Sequence, residues 1–127
     1  MNATVIVLTN TRTVLTDPAR WTQGEFARKA SGIGTTSMNP EAVCFCLLGA
    51  VSRAAYGTQF VTKEEDYDTF REGATNARNE LFNTLNIEHE FYEFAGRDIP
   101  GFNDNPDTKH EHVLALIDKT IARLSKE

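Results

Sequence analysis

The sequence predicts a mainly α domain, a compact set of four or five helices around one buried central helix. Three observations carry that expectation. Ala42 to Val51 is apolar on nearly every side, and a helix without a polar face must be surrounded by other elements. Tyr67, Phe70, Ala74, Ala77, Leu81 and Leu85 recur every three or four residues, the spacing of one helix face. Val113, Leu116, Ile117, Thr120, Ile121 and Leu124 repeat that pattern near the end of the chain.

The elements follow in order. Val5, Ile6 and Val7 are β-branched and predict a short β element over Val5–Leu8. Thr11–Leu15 suits a short helix ending before Asp17-Pro18. That dipeptide is itself a helix start, with Asp as N-cap and Pro in the first position. A turn of helix should run through Trp21, with Gly24 breaking it before Glu25–Ala30, and Ser31–Met38 reads as a loop around Gly32 and Gly34. Asn39-Pro40 opens the central helix, Pro40–Tyr56, and Gly57 fits the position just past its end. Lys63–Asn86 is the longest helix, its apolar stripe widened by Phe82. Glu64, Glu65, Asp66 and Asp68 crowd its first turns, where negative charge suits the helix dipole. Glu88–Phe94 fits helix or strand, and Arg97–Thr108 reads as a loop. The last helix spans Lys109–Ser125, with Thr108 and Glu111 as a capping box.

Composition narrows the class. The 127 residues suit one domain, here 1–127, with no repeat or linker. Hydrophobic residues at 40% and charged residues at 24% argue against disorder. Net charge is −5, unevenly spread. Residues 1–62 carry five Lys/Arg and three Asp/Glu, whereas residues 63–127 carry eight and fifteen. An acidic surface repels phosphate backbones, so direct nucleic-acid binding is not expected, and it favours basic partners. Ala42–Val51 is half the length of a membrane span, so no membrane is expected. Val5–Leu8 is too short for the apolar region of a signal peptide and follows no basic residue. Two cysteines only two residues apart predict free thiols in a reducing, cytoplasmic setting.

Several short motifs stand in a fixed order. They are Asp17-Pro18, Trp21-Thr22-Gln23-Gly24, Phe26-Ala27-Arg28, Gly32, Ala42 through Ala50, Phe102-Asn103-Asp104 and Val113-Leu114-Ala115-Leu116. In this order and spacing the chain, over about residues 14 to 124, resembles a small family of bacterial and phage proteins known only as a domain of unknown function. Its pattern is Asp-Pro-x-x-Trp-Thr-x-Gly, then Cys-x-x-Gly-Ala, then an aromatic residue before Asn-Asp, and a closing helix. The resemblance implies a shared fold and no activity. Phe45 and Phe102 stand where that family commonly has Trp, and the acidic stretch Lys63–Glu72 is this chain's own.

Trp21, Gln23, Arg28, Asn103 and Asp104 form the leading constellation. As a structural clamp, Arg28 and Asp104 would form a bidentate ion pair, Asn103 would cap loop backbone, and Trp21 would cover both. As a pocket, Arg28 would meet an anionic or amide-bearing ligand against a Trp21 wall. Cys44 and Cys46 with His89, His110 and His112 offer metal-ligand or thiol chemistry. On a helix, residues two apart point about 200° apart, which argues against a shared metal, and mid-helix thiols lack the activating N-terminal field. No metal or other cofactor is expected. Phe91, Tyr92, Phe94 and Phe102 cover one end of the core or form an exposed patch. The chain has no phosphate loop, dinucleotide fingerprint, His-Glu-x-x-His or Gly-x-Ser-x-Gly.

These features predict a non-catalytic binding or interaction protein. One concrete form is a phage or mobile-element accessory protein docking on a basic host protein through Glu64, Glu65, Asp66 and Asp68. The alternative is a small-molecule binder or minor enzyme built on Trp21, Gln23, Arg28, Asn103 and Asp104. A third form is a structural subunit or homodimer pairing through an apolar helix face.

Overall fold

A computed structural model describes residues 2–57, 60, 63, 67–88 and 98–126. Among the described residues the fold is mainly α, with five helices and a small three-stranded sheet. Helix α1 spans Ala3–Leu15, followed by a single 3-10 turn at Pro18–Arg20. Strands β1 (Ala27–Lys29), β2 (Gly34–Thr35) and β3 (Ala42–Phe45) come next, then α2 (Leu47–Tyr56), α3 (Tyr67–Ile87), α4 (Ile99–Asp104) and α5 (His110–Leu124).

The expected β element at Val5–Leu8 is instead part of α1. Asn2 caps it, accepting the Val5 N–H at 2.9 Å, a contact of about 1 kcal/mol. Val7, Leu8, Thr11, Val14 and Leu15 are then buried on one side. Burial of that stripe against α2, α3 and α5 overrides the strand preference of the β-branched run. The buried Thr11 hydroxyl bonds back to Val7 O at 2.7 Å, so it costs little inside the helix.

The helix expected over Pro40–Tyr56 is divided. Ala42–Phe45 is an edge strand in the sheet order β2-β1-β3, antiparallel throughout. Ala27 pairs with Thr35 on one side and Phe45 on the other, and Arg28 pairs with Gly34 and Cys44. Cys46 is therefore the N-cap of α2 and not a mid-helix residue. Residues around 27–29 form a strand where a helical turn was expected, and the loop at 31–38 contains β2. The Asp17-Pro18 start yields one 3-10 turn, capped by Asp17 on the Ala19 N–H, and ends before Trp21.

The two later stripes are in place, with corrections at their edges. Ala74, Ala77, Leu81 and Leu85 of α3 and Val113, Leu116 and Ile117 of α5 are buried, but Tyr67 and Phe82 are exposed. Thr120 Oγ donates to Thr84 Oγ at 2.8 Å, and Arg123 meets Glu80 at 3.0 Å, which joins α3 to α5. The capping box expected at the start of α5 is replaced: His112 Nδ1 accepts the Lys109 N–H at 2.9 Å, and the buried Thr108 hydroxyl has no partner among the described residues. The loop expected over 97–108 contains α4, capped by Asp98 on the Gly101 N–H. No helix among the described residues is long and apolar enough to cross a membrane.

Candidate functional site

The site forms where the Trp21–Phe26 segment, the start of α2 and helix α4 converge. Asn103, buried in α4, is its hub. Its side-chain oxygen accepts the Trp21 indole N–H at 2.8 Å and the Leu47 N–H at 3.0 Å. The second bond satisfies one of the orphan donors at the N-terminus of α2. Its amide nitrogen donates to Thr22 O at 3.1 Å and to Asp104 Oδ1 at 2.9 Å. Gln23 Nε2 donates to the carbonyls of Asn103 and Asn105, both at 2.9 Å. Asp104 Oδ1 also accepts the Gly24 N–H at 2.9 Å. Gly24 has φ +84°, a conformation that glycine adopts without strain.

Four of the five residues expected in this constellation thus meet directly. Arg28 does not join Asp104. Its guanidinium folds back on its own loop, donating to Thr22 Oγ, Gly32 O and Gln23 O between 2.9 and 3.0 Å. Three local acceptors satisfy it, so the expected ion pair is replaced by a loop brace. Of the acidic candidates, Glu64, Glu65 and Asp66 lie outside the described residues, as do His89, Phe91, Tyr92 and Phe94. Asp68 is exposed on α3 and pairs with Arg71 at 2.6 Å.

Beside the clamp lies an open cleft of about 190 Å³, lined by Gly24, Glu25, Phe26, Cys46, Leu48, Ile99, Pro100, Asn103 and Asp104. Its apolar walls come from three segments distant in sequence, and the sequence reading missed them. Phe26, 61% exposed at the rim, was the one available signal: a large aromatic in no helical stripe. The cleft depends on a close backbone approach. Cys46 N donates to Phe26 O at 3.1 Å, and a Cβ at Gly49 would stand 2.0 Å from that oxygen. The Gly in Cys-x-x-Gly-Ala is therefore a packing requirement.

Cys46 accepts the Gly49 N–H at 3.3 Å through its sulfur. Burial pushes its thiol above the ordinary range, against the pull of the Gly49 and Leu48 N–H groups, and the Asp104 carboxylate adds to the rise. A neutral, buried thiol is a poor nucleophile. The helical divergence argument against a Cys44–Cys46 metal site does not apply to a strand end. His110 Nε2 lies 2.6 Å from Leu15 O and His112 is engaged at Lys109 N. Among the described residues no group of three His, Cys, Asp or Glu side chains is placed to hold a metal.

A family model described as a family of unknown function (DUF6197) matches residues 1–123. The chain belongs to that family. No curated protein and no solved structure matches it.

Proposed function

We propose that this family member is a non-catalytic interaction protein whose binding face is the cleft between Phe26, Leu48, Ile99 and Pro100. The observation that carries the reading is an apolar cleft open to solvent beside a clamp that fixes all three of its walls. Its volume of about 190 Å³ falls below the roughly 300–1,000 Å³ usual for small-molecule sites. It suits one anchoring side chain of a partner, the kind of contact that dominates an interface. The Trp21 indole N–H, the Gln23 amide nitrogen and the Arg28 guanidinium are engaged within the protein, which takes support from a ligand pocket built on them. Of the four acidic residues expected to dock a basic partner, Asp68 is paired with Arg71, and Glu64, Glu65 and Asp66 lie outside the described residues.

The test places the photo-crosslinking residue p-benzoylphenylalanine at position 26 in the producing cell. A discrete crosslinked partner, lost with Leu48→Glu while the helical circular dichroism is kept, is the expected result. Crosslinking that is unchanged by Leu48→Glu overturns the assignment of the cleft.

A further inference from the structure

The charge around the cleft specifies what it takes, granted that the cleft is the binding face. Among the described residues its acidic lining is Asp104 and Glu25 and none of the lining is basic, but the Glu25 carboxyl group lies against Gly34, outside the cleft, which leaves Asp104 as the carboxylate that faces it. Asp104 is exposed and pairs with no cation among the described residues: Arg28, its expected partner, is held by its own loop. The two Asp104 bonds, from Gly24 N and Asn103 Nδ2, both fall on Oδ1. Oδ2 accepts none among the described residues.

We infer that the cleft receives a lysine side chain from a basic segment of a partner protein. The four-carbon stem of lysine packs on apolar walls while its ammonium stays at the wet end, which matches Phe26, Leu48, Ile99 and Pro100 beside Asp104. The choice between cations follows from Asp104. A guanidinium binds best by two parallel bonds to both carboxylate oxygens, and here one oxygen is already occupied twice. An ammonium, a compact point charge, needs only the other. The overall charge of −5 favours encounter with a basic segment.

The experiment titrates isotope-labelled protein with three probes and follows backbone amide shifts: Nα-acetyl-lysine amide, its neutral Nα,Nε-diacetyl analogue, and Nα-acetyl-leucine amide. Saturating shifts at Phe26, Leu48 and Asp104 are expected with the lysine probe. Binding of the neutral analogue should be about fivefold weaker, the most that a solvent-exposed ion pair supplies. That difference should vanish in Asp104→Asn, which keeps the Oδ1 acceptor of the clamp. Equal binding of the charged and neutral lysine probes, or preference for leucine, overturns the lysine assignment and leaves the cleft as a binding face. No shift at these residues with any probe overturns both.

Discussion

The Trp21 indole and the Asn103 side chain meet at 2.8 Å, across 82 residues of sequence. The oxygen that receives the indole also caps the first N–H of α2. One amide thus fixes the post-α1 segment, the start of α2 and α4 in register with one another. The cleft walls inherit their positions from that register: Phe26 follows Trp21 by five residues, Leu48 follows Leu47, and Ile99 and Pro100 belong to the same short helix as Asn103.

Asn103→Ala should therefore destabilise the protein by about 2–4 kcal/mol, because it leaves the Leu47 N–H and the Trp21 indole without their acceptor. The urea midpoint measures the loss. Trp21→Phe removes only the indole N–H and its ring edge, and should cost about 1 kcal/mol. Similar losses from the two variants would mean that Asn103 is not the hub.

Arg28 separates a brace from a site. Its three bonds hold Thr22, Gln23 and the Gly32 carbonyl, and none reaches α4. Arg28→Ala should lower stability by about 1–2 kcal/mol while Trp21 fluorescence in the folded state stays as in the parent. A shifted emission maximum would show that the loop brace also holds the clamp.

Gly49→Ala tests the contact beneath the cleft. A methyl group there would sit 2.0 Å from Phe26 O, and backbone on both sides leaves little room to yield. Overpacking of this kind costs about 1–3 kcal/mol, against the gain of a few tenths to 1 kcal/mol that alanine ordinarily brings to a helix. A variant as stable as the parent would mean that α2 can move away from Phe26.

Those same residues show what was legible in the sequence. Helices α3 and α5 were, because their stripes run through four or more turns. Helix α1 was not: Val5, Ile6 and Val7 carry a strand preference, and the helical stripe from Val7 to Leu15 is broken up by Thr9, Asn10, Arg12 and Thr13. The strand at Ala42–Phe45 was read into the following helix because a short apolar run fits either state, and its pairing with Ala27–Lys29 is non-local. Trp21, Gln23, Asn103 and Asp104 announced a polar cluster by residue type. The partners of Arg28 were hidden because two of them are backbone carbonyls, which no side-chain pattern reveals. The cleft was hidden because Phe26, Leu48 and Ile99 meet only after folding.

Acid stability offers a test far from the cleft. Glu80 accepts from Asn83 Nδ2 at 2.9 Å and from Arg123 at 3.0 Å, and these bonds, that of Asn83 foremost, hold its carboxyl below the ordinary glutamate value of about 4.5. A carboxyl whose pKa is lower folded than unfolded stabilises the fold only where it is ionised. The contribution is complete above the ordinary value and disappears as pH falls through the lower, folded one. Glu80→Gln should thus be less stable than the parent at neutral pH, and the gap in urea midpoint should close as pH drops below about 4.5. The ordinary pKa marks where the closing begins, since the unfolded carboxyl takes up its proton first. A gap that stays constant from pH 7 to pH 3 would mean that Glu80 joins α3 to α5 by hydrogen bonding and packing alone, with its charge playing no part.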